Sequence, residues 1–370
     1  MHTRLRVPMP RRLATLLLLS GVAACQDLLQ VDTPSRIPAE QLEVPANAGL
    51  LVNGAVGDFE CAFNAYVVLG GLIGEELVDA TQTADRFPYD RRDHQASDRR
   101  YSAFGCEALG VYTPLQTARA SAENVLRLLN GWTDAEVPNR SYLIMKASAY
   151  SAYSLLLLGE GFCTAAVSTV NADQSITYGG EISRDSLWRL AESRFTDAIN
   201  RATTLGNTEF LNLALVGRAR ARQNLNLWPS ASDDAALVPQ AYVKTVTTSS
   251  AVGRRQNRVW AENVNANSAS VGEPYRQYDR IGDPRVDLDS TATVSVTGVR
   301  IWRNRKYLTV GTPIPLATGI EAKLIVAEGE WQAANYAAAR DSINFFRARG
   351  AALDTLLTSV DPDSLRSHLV

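Results

Sequence analysis

Apolar positions recur at spacings of three and four through most of this chain, which places them on one face of successive helices. Leu51, Ala55, Phe59, Phe63 and Tyr66 form the first stripe and predict a long helix from about residue 47, running past Gly70 and Gly71 with a kink. Leu115, Ala118, Ala122, Val125 and Leu129 predict a second helix over 106–130. A third is expected over 141–158, with Asn139 or Ser141 as its cap. Trp188, Ala191, Phe195, Ala198 and Ala202 line a fourth; Gly206 stops it, and Leu213, Ala214, Gly217, Ala221 and Leu225 open its partner. Near the end Ile320, Leu324, Ala327 and Trp331 line one helix, Asn335 punctuates, and Tyr336, Ala339, Ile343 and Phe346 line another.

A helix, a short turn and a second helix, with Ala or Gly where the two cross, is the tetratricopeptide type of unit. Three or four such pairs predict a mainly α, tetratricopeptide-like solenoid with a concave binding surface. Two stretches break the pattern. Residues 79–102 crowd Arg86, Tyr89, Arg91, Arg92, Asp93, Arg99 and Arg100 into a polar loop too long for a plain connector. Residues 252–288 are rich in Asn, Gly, Arg and aromatics and lack a helical period. Alternating residues 292–296 and 299–303 about Thr297-Gly298 then predict a hairpin, so an irregular, partly β insert is expected at about 250–310.

The N-terminus reads differently. Arg4, Arg6, Arg11 and Arg12 precede a largely apolar run at 13–24 that ends in Val22-Ala23-Ala24-Cys25. As a helix this run rises about 18 Å, short of the roughly 30 Å of hydrocarbon a spanning segment crosses. It is expected to be a cleaved signal. Small residues running directly into a cysteine resemble a bacterial lipobox, in which Cys25 is acylated on its thiol and its freed amine. Such acylation adds roughly 0.8 kcal/mol of membrane affinity per buried methylene. Gln26 at the next position resembles the signals sorted to the outer membrane.

Composition narrows the rest. The 370 residues are 46% hydrophobic, enough for a large core, and no later stretch has 18 apolar residues without a charge. A net charge of −2, with 37 basic and 39 acidic side chains and no run of like charge, makes nucleic acid an unsuitable partner. With His2 lost in the signal, His94 and His368 leave little material for histidine catalysis or a metal site. Positive charge is carried by Arg, with lysine only at Lys146, Lys244, Lys306 and Lys323, which reads as coding bias. Cys61, Cys106 and Cys163 allow one disulfide and leave one thiol, expected to be buried; the pairing is open at this level. A Cys61–Cys106 bridge would contribute about 4 kcal/mol by loop closure.

Several segments, in order, resemble the SusD/RagB family of surface lipoproteins. They are Cys25-Gln26-Asp27-Leu28-Leu29-Gln30-Val31; Tyr112, Leu115, Ala118 and Ala122-Glu123-Asn124; and Lys146-Ala147, Tyr150, Tyr153 and Gly159-Glu160-Gly161-Phe162. Ala219-Arg220-Ala221-Arg222, Asp283-Pro284-Arg285 and Glu321-Ala322-Lys323-Leu324-Ile325-Val326-Ala327-Glu328-Gly329-Glu330 follow, then Ile343-Asn344 and Arg347-Ala348-Arg349-Gly350. The resemblance implies a signal peptide at 1–24, a lipidated tether at 25–46 and a SusD-like helical domain at 47–370. Members of the family continue further, so the apolar ending Leu365-Arg366-Ser367-His368-Leu369-Val370 is expected to be a truncation.

What the resemblance implies is a binding protein with no catalytic step and no cofactor or metal, held at the outer-membrane surface by lipid alone. It would pass an oligosaccharide or polysaccharide to a TonB-dependent transporter. Aromatic rings suit the apolar faces of pyranoses, and Arg, Asn and Asp suit hydroxyls. By position, the ligand-binding candidates are Arg86, Phe87 and Tyr89 in the polar loop, and Trp260, Asn263, Tyr275 and Tyr278 in the insert. The alternative is a tetratricopeptide lipoprotein that scaffolds envelope assembly through protein contacts, which needs neither the aromatic insert nor the Glu321 segment. Asp79, Asp85, Asp90 and Asp93 supply carboxylates, but nothing fixes the separation that glycoside hydrolysis requires.

Overall fold

The computed structural model describes residues 37–93, 95, 105–283, 285–347 and 357–366. The signal at 1–24, Cys25, His94, Arg99, Arg100, Pro284, Arg349, Gly350 and His368 lie outside the described residues. The chain divides into two compact units, Met1–Val44 and Pro45–Val370. The described part of the first holds one helical turn, Ala39–Leu42.

The second unit is a stack of helices. Its main members are α1 (Ala48–Ile73), α3 (Tyr112–Gly131), α4 (Arg140–Gly161), α5 (Arg184–Leu205), α6 (Thr208–Asn224), α7 (Trp228–Ala236), α9 (Gly319–Gln332) and α10 (Tyr336–Arg347). Each packs on the next, α1 on α3, α3 on α4 and so on to α10, which is the solenoid order. Shorter helices are α2 (Phe87–Asp90), α8 (Glu273–Arg280) and α11 (Pro362–Arg366). The strands form five two-stranded antiparallel ladders: β1 (Leu77–Asp79) with β7 (Ala269–Val271), β2 (Thr164–Ala166) with β5 (Glu181–Ser183), β3 (Thr169–Val170) with β4 (Ile176–Thr177), β6 (Val243–Val246) with β10 (Ile314–Thr318), and β8 (Leu288–Val294) with β9 (Arg300–Asn304). The fold is mainly α.

Caps set the helix ends. Ser183 accepts from Ser186 N, Asn207 from Phe210 N and Thr318 from Glu321 N, each satisfying a first-turn donor. Gly206 ends α5 in the left-handed region at φ 63°, a conformation costly for residues with a Cβ. The core forms where α1, α4, α5 and α6 meet. Phe59, Tyr153 and Phe195 are fully buried, with ring centroids 6.2 Å (Phe59–Tyr153) and 4.9 Å (Tyr153–Phe195) apart. Tyr153 Oη donates to Leu213 O at 2.9 Å, so its polar end is satisfied. Gly217 lets Phe195 lie directly against α6, because a Cβ there would fall 2.2 Å from the ring.

The alanine-arginine pattern of α6 ties the stack together. Ala219 and Ala221 are fully buried, while the arginines around them reach different neighbours. Arg218 grips Asp234 of α7 through two bonds of 2.7 Å, and Arg220 grips Glu160 of α4 at 2.8 and 2.6 Å. Arg222 bonds Glu192 of α5 at 2.7 Å and Asp234 at 2.9 Å. Such forked pairs fix geometry better than lysine pairs do.

Several expectations are corrected. The helix expected over 106–130 is a short turn, Cys106–Ala108, followed by Leu109 in the left-handed region and then α3 from Tyr112. The turn is held by the disulfide Cys61–Cys106. Cys163 is free and exposed, not buried, because α4 ends at Gly161 and the chain leaves the core there. In α9 the expected stripe holds only in its second half: Ala327 is buried and Trp331 packs on the Ala339–Ile343–Leu365 cluster, but Ile320 and Leu324 are 53% and 37% exposed, and Ala322, Ile325 and Gly329 are buried in their place. Small residues win because α9 packs at close range on α7; a Cβ at Gly329 would lie 2.1 Å from Ser232 Oγ. α7 and the β6–β10 ladder are additional elements. The insert contains the eight-residue helix α8, none of whose residues is buried.

Candidate functional site

The polar loop and the insert are brought together by β1 and β7, with Leu77 opposite Val271 and Asp79 opposite Ala269. α1 runs through Gly70 and Gly71 to Ile73, and at Gly71 the absent side chain admits Leu77, whose Cδ1 would lie 3.3 Å from a Cβ. The chain can therefore turn back and place β1 on the insert.

Arg86 lies at this junction and is buried. Its Nε donates to Asp79 Oδ1 at 3.2 Å, Nη1 to Glu262 Oε2 at 2.8 Å and Nη2 to Thr81 Oγ1 at 2.7 Å. All three nitrogens are engaged in joining the loop to the insert. Asn263, fully buried in the six-residue π-helical turn Trp260–Asn265, does the same inside the insert. It donates to Ala269 O at 3.0 Å and Trp302 O at 2.9 Å, and accepts from Asn304 N and Nδ2 at 2.8 Å each, which saturates its amide. These two candidates are structural ties.

The other candidates divide by exposure. Tyr89 is buried, and Trp260 packs against the main core. Phe87 is half-buried beneath the Arg91 guanidinium, 5.2 Å from its ring centroid. Tyr275 is half-buried and Tyr278 39% exposed, both on α8, with ring centroids 6.5 Å apart. Of the seven, Tyr275 lines a cleft.

That cleft, of about 370 Å³, lies between the end of α1, α6, α8 and β10, with Tyr66, Glu76, Arg220, Tyr275 and Glu321 in its wall. Burial raises the Tyr275 hydroxyl pKa, and nearby Glu76 adds to the shift. Burial, then Glu160, raises that of Tyr66. Burial works against the charge of Arg220, but Glu160 and Glu321 outweigh it and raise its pKa. Burial also pushes the Glu321 carboxyl up, opposed by Arg220. The cleft thus offers phenol hydroxyls, a fixed cation and two carboxylates around an aromatic wall, a set that can bond neutral polyols. Tyr66 was legible only as part of an apolar stripe, and Arg220 and Glu321 only as parts of family-like segments. No signal in the pattern marked Glu76.

A second cleft, of about 400 Å³, lies between α1, α4, the start of α6 and β6, and includes Lys146 and Lys244. Lys146 was legible only as part of a family-like segment, and nothing in the pattern marked Lys244. Among the described residues no group of three or more His, Cys, Asp and Glu is placed to hold a metal ion.

No family model matches the chain, and no curated protein matches it. Solved structures do. A SusD superfamily protein from Bacteroides vulgatus superposes with a TM-score of 0.65 at 11% identity, covering 88% of this chain and 83% of that one. A SusD-like carbohydrate binding protein from the same organism gives 0.65 at 15% identity, covering 88% and 79%. Surface glycan-binding protein A from Bacteroides fluxus gives 0.61 at 12% identity, covering 86% and 84%. The similarity covers 86–88% of the chain in these three: this chain has the SusD-like helical fold.

Proposed function

We propose that the protein is a SusD/RagB-type surface lipoprotein that binds an oligosaccharide or polysaccharide and passes it to a TonB-dependent outer-membrane transporter. The observation that carries this reading is the superposition over 88% of the chain on a SusD-like carbohydrate binding protein. Acylation of Cys25 would anchor the body by lipid alone. The ligand would lie across the loop–insert face, with a pyranose ring on Tyr275 and Tyr278 and its hydroxyls directed to Glu76, while Arg220 stays paired with Glu160 and Glu321. No catalytic step is part of this reading.

A glycan array read with the folded, unlipidated protein tests the binding. A hit that Tyr275→Ala weakens roughly tenfold, as expected for losing one stacking aromatic, supports the assignment; no hit on any glycan sinks it. External protease applied to intact cells, with and without Cys25→Ala, tests the location, since protection of the acylated protein places it on the inner face.

A further inference from the structure

The second cleft uses other stretches of α1 and α6 than the first, together with α4 and β6. α4 contributes Tyr142, Lys146 and Tyr150, α6 contributes Glu209 and Phe210, β6 contributes Lys244, and Glu60 enters from α1. The rings form one aromatic wall, with Tyr142 and Tyr150 centroids 6.0 and 6.5 Å from that of Phe210.

The charges in this cleft do not cancel. Glu60 is engaged: its Oε1 accepts from Thr247 N at 2.8 Å, and its Oε2 accepts from Arg255 Nη2 at 3.1 Å. Glu209 accepts from Lys244 Nζ at 2.5 Å, and the same ammonium lies 5.5 Å from the Phe210 ring centroid. Lys146 is left over. Its Nζ donates to Asn53 Oδ1 at 2.9 Å and makes no ion pair among the described residues. Burial lowers its pKa and the neighbouring Lys244 lowers it further, an effect that Glu60 and Glu209, each engaged by another cation, only partly offset. A half-buried ammonium facing a second ammonium is stabilised by an anion placed beside it.

We infer that this cleft binds a carboxylate-bearing sugar unit of the uronic acid type. The carboxylate would pair with Lys146, the apolar face of the ring would lie on Tyr142, and Asn53 and Thr247 would meet hydroxyls. A volume of about 400 Å³ holds a pyranose of this kind. An inorganic phosphate would leave the aromatic wall unused. The inference rests on the glycan-binding reading for the class of ligand, and it assigns acidic and neutral sugars to different clefts.

Calorimetric titration of the folded protein with trigalacturonate and with the neutral galactose trisaccharide tests it, using wild type, Lys146→Met, Lys146→Gln and Tyr275→Ala. The expected result is a loss of roughly tenfold in trigalacturonate affinity for either Lys146 variant, as for one charge-assisted bond, with the neutral ligand unaffected. Lys146→Arg should retain most of the binding, and added salt should weaken it. Unchanged trigalacturonate affinity in both neutral variants overturns the inference, as does full competition by equimolar inorganic phosphate. If the neutral trisaccharide binds in a Tyr275-dependent way while trigalacturonate ignores Lys146, this inference falls and the glycan-binding reading stands. If neither ligand binds, this inference falls, and the glycan-binding reading is decided by the array.

Discussion

The helical stack and the insert are ordered by different physics. In the stack, fully buried rings such as Phe59, Tyr153 and Phe195 interlock, and small residues such as Gly217 and Gly329 set the distance between helices. In the insert, α8 buries no residue and β8 is largely exposed. Beyond the buried β7 and Ile301 and the half-buried Trp260, single polar side chains hold it: Arg86 across to the loop, Asn263 between β7 and β9, Ser270 between strands, and Asp283 with its four bonds from Arg285. Apolar burial is additive and tolerant of detail, whereas each of these polar ties is singular. Substitutions in the stack should therefore weaken the whole molecule, and substitutions in the insert should loosen one place.

The sharpest break of that contrast would come from Phe195→Ala, expected to cost about 4 kcal/mol or more in global unfolding by denaturant, since it leaves a cavity between α5 and α6. A loss confined to one helix pair would show that the stack is not a single unit. Reducing Cys61–Cys106, or replacing Cys106 by Ser, is expected to lower stability by up to about 4 kcal/mol, read as a fall in Tm under reducing conditions. Arg86→Met leaves Asp79 and Glu262 without their cation and should cost about 3 kcal/mol. Here hydrogen exchange is the test: amides of β1 and β7 should lose protection before those of α4 and α5, and uniform loss would contradict the contrast. Ser270→Ala, which removes the bonds to Arg300 O and Trp302 N, should cost about 1 kcal/mol, with amide exchange rising mainly in β7 and β9.

The same contrast explains what could be read from the amino acids alone. Helices α1, α4, α5, α6, α9 and α10 announce themselves because a 3.6-residue period of Leu, Ala and Phe is a repeated signal. α7 does not, since it buries only Ala231, Asp234 and Ala235. α9 was legible in extent but only partly in phase: Ala327 and Trp331 face inward as read, whereas Ile320 and Leu324 carry more apolar weight than the Ala and Gly that pack in their place. The hairpin β8–β9 followed from alternation about Gly298, whose φ is 83°. In the loop–insert region, residue type pointed to the right segments but not to the right atoms. Arg86 and Asn263 have the chemistry of ligand contacts, and only three-dimensional partners reveal that they are already spent on backbone and carboxylates. Lys146 and Lys244 converge on one cleft from separate helix and strand, a proximity that no local pattern encodes.

The β1–β7 ladder has a consequence for how the molecule comes into being. Contacts between successive helices are close in sequence and can form as the chain emerges, whereas Leu77 must wait for Val271 before its ladder closes. The loop–insert face should thus be the last region to mature, after the helices it packs on. Pulse-labelled exchange during refolding should then show protection in α3 to α6 preceding that of Leu77–Asp79; simultaneous protection would argue instead for one concerted step.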